Sequence, residues 1–235
     1  MFPPHEIIEA AQIVYEDNHL IIINKKSSEI VQGDKTGDMP LSEKVKNFIK
    51  QRDNKPGNVF CGVCHRLDRP VSGIVIFAKT SKALSRMNEL FRDKTIQKTY
   101  WAVVKNKPPH QIERLTHYLI KNEQTNKSKA YKEERNGALK AELAYTLIAS
   151  IANYHLLEIN LFTGRHHQIR AQLSAIGCPI KGDLKYGYDR SNPNGSIHLH
   201  SYKTEFIHPI KLEKVTIVCK PRTDDVVWKE LMKAL

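Results

Sequence analysis

Short segments rich in β-branched and aromatic residues recur along the chain, each cut off by turn formers, and this rhythm limits the possible folds more than any other feature. Residues 13–15 and 20–24, joined by a link containing Asp17-Asn18, read as a hairpin, so strand pairing starts antiparallel. Further strands are expected at 59–63, 73–79, 99–104, 116–120, 141–150, 154–162, 196–206 and 215–219. Helical spacing is sparser. Leu41, Val45, Phe48 and Ile49 mark a helix that follows Pro40 and stops before Pro56-Gly57. Thr80 or Ser81 caps a second helix, with Leu84, Met87, Leu90 and Phe91 facing inward. Ile169, Leu173 and Ile176 mark a third, closed by Gly177 and Pro179, and Asp224 or Asp225 caps a last one carrying Val227, Trp228 and Leu231. Many strands joined by turns, with a few helices between them, predict an α+β fold built on a large, mostly antiparallel mixed β-sheet flanked by helices and loops. No internal repeat or flexible linker divides the 235 residues, so one domain spanning 1–235 is expected.

Charge narrows the partner. The chain carries 37 Lys and Arg against 25 Asp and Glu, a net +12, which favours a polyanion such as nucleic acid. The excess is concentrated in residues 92–140, with 12 basic groups against 5 acidic ones. There Lys121, Lys127, Lys129, Lys132 and Arg135 share a polar stretch with Tyr118 and Tyr131. That stretch reads either as a phosphate-facing surface or as a solvated loop. The longest apolar runs fall far below the roughly 20 residues of a membrane helix, so no membrane association is expected. The first residues, Met1-Phe2-Pro3-Pro4-His5-Glu6, have neither the basic start nor the apolar segment of a secretory signal. A cytoplasmic, reducing location with four free thiols is therefore the expectation.

Two clusters carry chemistry. His65-Arg66-Leu67-Asp68-Arg69-Pro70-Val71-Ser72-Gly73 sets one carboxylate among two guanidiniums between two strands, with Pro70 stiffening the turn and Gly73 freeing it. A carboxylate so placed is suited to act as nucleophile or base, or it holds its own loop together by pairing with Arg66 or Arg69. Thr163-Gly164-Arg165-His166-His167-Gln168-Ile169-Arg170 runs from a strand end into a helix start, where Arg165 and Arg170 add to the positive end of the helix. His166-His167 lacks a third ligand at metal spacing, so no metal is assigned. Cys61-Gly62-Val63-Cys64-His65 has the spacing of covalent haem attachment but overlaps the first cluster, and the four cysteines lack the second pair of a zinc site. Buried thiols are expected instead.

Together these segments resemble the RluA-type family of RNA pseudouridine synthases. His65-Arg66-Leu67-Asp68 with Ser72-Gly73 is similar to the family's central motif, and Lys98-Thr99-Tyr100-Trp101-Ala102-Val103 to its tyrosine strand. The 163–170 segment followed by Gly177-Cys178-Pro179-Ile180-Lys181-Gly182-Asp183 is similar to its arginine motif, and Leu199-His200-Ser201-Tyr202 with Phe206-Ile207-His208-Pro209 to its closing strand. Four matches in order, across residues 13–220, say far more than one motif. The resemblance implies a pseudouridine-synthase-like fold, with Asp68 as catalytic aspartate, Tyr100 as the ring stacked on the target uracil, and Arg165 as the group orienting Asp68. It implies that Arg66 fills the gap left by the flipped nucleotide. His65, Arg170, Lys127, Lys129 and Lys132 complete the expected RNA-contacting set. The partner implied is ribosomal or transfer RNA, with no obligate protein partner and a monomeric enzyme. The reaction is redox-neutral and needs no activated phosphate, so no cofactor is expected; the chain has no dinucleotide-type glycine loop and no P-loop.

The residue chemistry agrees with this. Isomerising uridine breaks C1′–N1, turns the retained uracil and joins C5 to C1′, and a single carboxylate serves it, unlike the paired acids of O-glycoside hydrolysis. Attack of Asp68 on C1′ and abstraction of the C2′ proton are both open. Arg69-Pro70-Val71 and Lys25-Lys26-Ser27-Ser28 depart from the family's commoner residues without removing a catalytic group. The 12 residues before the first strand are too few for the S4-type RNA-binding domain of many relatives, so none is expected. A catalytically inactive RNA-binding or RNA-folding protein is the competing reading, and a hydrolase releasing uracil a third. Simple RNA binding has no need of the trio Asp68, Tyr100 and Arg165.

Overall fold

The computed structural model describes residues 2–222 and 224–235, which contain eleven β-strands and four α-helices. The chain divides into two compact units, Met1–Ile96 with Lys203–Cys219, and Gln97–Tyr202 with Lys220–Leu235. The α+β class is as expected, and every strand pair with a described register is antiparallel.

In the first unit the expected hairpin forms between β1 (Ile13–Glu16) and β2 (Leu20–Lys25), and the Asp17 carboxylate accepts hydrogen bonds from the His19 and Leu20 amides to close the turn. β2 pairs along its length with β4 (Ser72–Ala78), so that Lys25 stands opposite Gly73. The strand expected at 59–63 shrinks to β3 (Gly62–Val63), which also pairs with β4. α1 (Leu41–Arg52) buries Leu41, Val45 and Ile49 on one face. Its start has no side-chain cap; the Leu41 and Ser42 amides donate instead to the carbonyls of Ile30 and Val31. α2 (Ser81–Arg92) is capped by Thr80, whose hydroxyl accepts from the Ala83 amide. Its Ala83 and Met87 are buried against Leu20, Ile22, Ile74 and Ile76, with Leu84, Leu90 and Phe91 packed around them. β10 (Leu199–Ile207) ends in this unit, paired with β11 (Lys214–Val218).

In the second unit β5 (Gln97–Val104), β9 (Tyr154–Leu161), β8 (Leu139–Ile151), β6 (Ile112–Asn122) and β7 (Lys127–Tyr131) pair in that spatial order. β7 and the length of β6 differ from the sequence expectation. Residues 121–135, read as a polar stretch or loop, contain the second arm of a hairpin, with Ile120 opposite Lys129 and Tyr118 opposite Tyr131. α3 (Gln168–Ala175) lies on one face of this sheet, where Leu119, Ala141, Ala171 and Tyr186 cluster. It ends as expected at Gly177, whose φ of 76° suits a glycine and lets the Cys178 amide reach the Leu173 carbonyl. α4 (Val226–Lys233) is capped by Asp225 and packs Trp228 and Leu231 against Trp101, Val103, Ala149 and Leu156.

No helix among the described residues is long and apolar enough to cross a membrane.

Candidate active site

The aspartate loop belongs to the first unit. Gly73, the second residue of β4, sits at φ 111°, a backbone conformation that side chains disfavour, where the loop enters the strand. The Val71 amide donates to the Asp68 carbonyl and closes a tight turn at Arg69-Pro70. Arg66 is exposed, Asp68 half-buried, and Leu67 between them buried. This alternation directs the charged side chains outward while Leu67 anchors the loop. His65 accepts a hydrogen bond on Nε2 from the Ile76 amide and packs its ring 4.8 Å from Phe91, so it is built into the wall under the loop. Arg69 pairs with Asp38.

Lys25, named in the sequence only within a segment that departs from the family's commoner residues, holds this loop from beneath. It is 1% exposed, and its Nζ donates to the carbonyls of Lys26 (2.9 Å), Glu29 (2.8 Å) and Arg69 (3.2 Å), matching the three protons of an ammonium. The Ser28 amide donates to the same Arg69 carbonyl. Burial pulls the Lys25 pKa down to about 7, against the opposing pull of the Glu29 and Asp68 charges. The only available signal was its place at the end of an apolar strand, where the last side chain still points inward.

The tyrosine and the arginine loop belong to the second unit. Tyr100 sits in β5 and is 7% exposed. Strand alternation puts it on the same face as Lys98, opposite Trp101 and Val103, which pack toward α4. Burial lowers the pKa of Lys98. A Cβ at Gly164 would stand 3.7 Å from Lys98 Nζ, so this lysine, named in the sequence only as the start of the tyrosine strand, reaches the arginine loop.

Side-chain hydrogen bonds lash that loop to β8. Thr163 Oγ1 accepts from the Glu142 amide at 2.8 Å and donates to Gln168 Oε1 at 2.7 Å. Gln168 Oε1 also accepts from the Arg165 amide, and Gln168 Nε2 donates to the Glu142 carbonyl. Arg165 Nε donates to the Lys140 carbonyl at 3.0 Å. Thr163 and Gln168 thus act as the frame for Arg165.

Arg170 differs from Arg165 despite sitting in the same motif. It is 5% exposed, and its Nε and Nη2 grip the two oxygens of Asp183 at 2.7 and 2.9 Å, with the Tyr186 ring 4.9 Å from the guanidinium. The expected RNA contact by Arg170 does not fit a guanidinium buried and spent on an internal carboxylate. Lys127, Lys129 and Lys132 are exposed, with Lys127 over the Tyr186 ring and Lys129 over Tyr131. Arg135 stacks on Tyr131 at 4.1 Å.

The four cysteines are free and buried, as expected, and burial pushes the thiols of Cys61 and Cys64 up to about 12. Such thiols stay protonated and unreactive near neutral pH. Among the described residues no group of three or more His, Cys, Asp or Glu could hold a metal ion.

A family model described as RNA pseudouridylate synthase matches residues 19–175. The chain is 33% identical over 213 residues to a protein of Buchnera aphidicola named "Ribosomal large subunit pseudouridine synthase C", covering 88% of this chain and 66% of that one. It is 28% identical to "tRNA pseudouridine synthase C" of Vibrio parahaemolyticus, covering 94% of this chain and 93% of the relative. The chain spans 61–66% of the length of the first ribosomal relatives it matches. Among solved structures, "Human RNA Pseudouridylate Synthase Domain Containing 4" superposes with a TM-score of 0.77 at 23% identity, covering 95% of this chain and 93% of that one, a likeness of fold.

Proposed function

We propose that this chain, which belongs to the RluA-type family of RNA pseudouridylate synthases, isomerises specific uridines in structured RNA to pseudouridine. The single observation carrying this reading is the family match over residues 19–175, a span that contains Asp68, Tyr100 and Arg165. Both compact units belong to the one catalytic domain that this reading assigns to residues 1–235. Asp68 is the catalytic carboxylate, Tyr100 the ring that stacks on uracil, and Arg165 the guanidinium that orients the carboxylate. A base inside a helix must leave its stack before any group reaches C1′, and the exposed Arg66 is the side chain that takes its place. The C1′–N1 bond breaks, uracil turns, and C5 bonds to C1′; C5 then gives up its proton and N1 gains one, so product and substrate are isomers.

The RNA is ribosomal or transfer RNA. Relatives named for each are similar to this chain, the ribosomal ones at higher identity and the transfer-RNA one at closer length. The exposed Lys127, Lys129 and Lys132 supply phosphate contacts. The enzyme acts as a monomer in the cytoplasm without a cofactor.

Pseudouridine mapping on total RNA from cells with and without the gene, complemented by wild type or Asp68→Asn, tests the reading. Sites lost in the deletion and restored only by wild type identify both activity and target. Restoration by Asp68→Asn would remove Asp68 from the chemistry. A map unchanged by deletion, in a strain lacking paralogues, would instead favour an RNA-binding protein without catalysis.

A further inference from the structure

We propose that Ser128 is a positioning residue for Arg165, and that through His166 it joins the basic strand β7 to the arginine loop. The proposal rests on the reading of Arg165 given above and adds to it the means by which the loop is held on its second side.

Ser128 lies between Lys127 and Lys129. Those two are exposed, whereas Ser128 is 3% exposed and faces α3 and the arginine loop. Its Oγ stands 2.8 Å from the His166 carbonyl and 2.9 Å from His166 Nδ1. A carbonyl only accepts, so the single hydroxyl proton goes to it, and His166 Nδ1 must carry the proton that it donates to Oγ. The Ser128 amide donates to Tyr186 Oη at 2.9 Å, and Tyr186 Oη stands 2.9 Å from His167 Nδ1. The two imidazoles stack with centroids 3.8 Å apart.

This proton order pins the residue after Arg165 by both its carbonyl and its ring. Gln168 pins the Arg165 amide itself. His167 adopts a left-handed conformation at φ 53°, so the backbone here is bent away from the form it would take unaided. Held on one side by β8 and on the other by β7, Arg165 has a fixed backbone even though its side chain is partly exposed. The strand that presents Lys127 and Lys129 to phosphate is thus the strand that braces the arginine loop. Without Oγ the loop keeps its Gln168 and Thr163 contacts and the protein folds, but Arg165 loses one of its two anchors.

The test uses the full chain and total RNA labelled with tritium at uracil C5, taken from a deletion strain, with tritium release measured under single turnover. Ser128→Ala should lower the maximal rate about 10-fold or more, since errors near 1 Å in a positioned group can cost about 100-fold. The enzyme concentration giving half-maximal rate should stay within about twofold of wild type, because Lys127 and Lys129 remain. Side-chain ¹⁵N spectra should show His166 protonated on Nδ1 in wild type and shifted toward Nε2 in Ser128→Ala. His166→Asn, whose amide can donate to Oγ as Nδ1–H does, should recover most of the rate that His166→Leu loses. A Ser128→Ala rate within twofold of wild type overturns the proposal, as does a slower rate with an unchanged His166 tautomer. Arg165→Ala, run in parallel, separates the two claims. If it retains wild-type turnover the role of Arg165 fails, whereas an inactive Arg165→Ala beside a fully active Ser128→Ala refutes Ser128 alone.

Discussion

Replacing Asp183 with Ala should destabilise the second unit by about 3–5 kcal/mol, the cost of leaving one member of a buried ion pair without its partner. Both side chains are almost fully enclosed, Arg170 at 6% and Asp183 at 1% exposure. A guanidinium cannot shed its charge to escape this burial, and its two donated hydrogen bonds vanish with the carboxylate. At roughly 2–4 °C per kcal/mol for a chain of this size, the melting midpoint should drop by about 6–20 °C. Both tryptophans, Trp101 and Trp228, lie in the second unit, so their fluorescence during thermal or urea unfolding reports on the part that contains the pair. Arg170→Met combined with Asp183→Leu removes both charges while keeping bulk, and should cost far less than Asp183→Ala alone. The double-mutant cycle should then give a coupling above about 2 kcal/mol. A loss below about 1 kcal/mol in Asp183→Ala, or additive single losses, would refute the assignment of Arg170 as a structural partner and return it to the RNA-contacting set.

Lys25→Met should cost about 1–3 kcal/mol by stranding carbonyls that the ammonium satisfies, and should also change how stability depends on pH. Because the folded-state pKa of about 7 lies below the ordinary 10.5, the unfolded chain binds more protons between those values, and this group makes wild-type stability rise with pH across that window. Urea titrations from pH 7 to 10 should show the rise in wild type and its loss in Lys25→Met; parallel curves would sink the argument. Replacing Lys127, Lys129 and Lys132 together should weaken RNA binding and flatten the plot of log affinity against log salt by about 2–3, and an unchanged slope would take β7 out of the interface. Asp225→Ala removes the α4 cap and the carboxylate 3.0 Å from His198 Nε2, and a loss of about 1–2 kcal/mol is expected by the same fluorescence assay; a neutral result would show that α4 does not depend on its cap.

Sequence periodicity located most strands and all four helices because a half-buried strand or helix must repeat its apolar residues at the spacing of its own geometry. Caps at Thr80 and Asp225 and the stop at Gly177 were legible for the same local reason. β7 was not, since Lys127-Ser128-Lys129 has little strand character and becomes a strand by pairing with β6. A distant partner, invisible to any window of sequence, supplies its hydrogen bonds.

Residue identity and order marked out the aspartate loop, the tyrosine strand and the arginine loop, because the reaction that the family resemblance implies needs those groups. Local sequence could not show that Arg170, expected to contact RNA, is paired inside the fold, or that Lys25 and not Lys26 turns inward, since both depend on distant partners. The tertiary structure decided both cases. Arg170 meets Asp183, 13 residues on, in a buried pair, while Arg165 stays at the surface of β8. Lys25 turns inward to carbonyls as distant as Arg69, while Lys26 remains at the rim with Glu9. Residue types set which chemistry this chain has available, and burial with long-range pairing decides which charges are spent holding the fold and which stay at the surface.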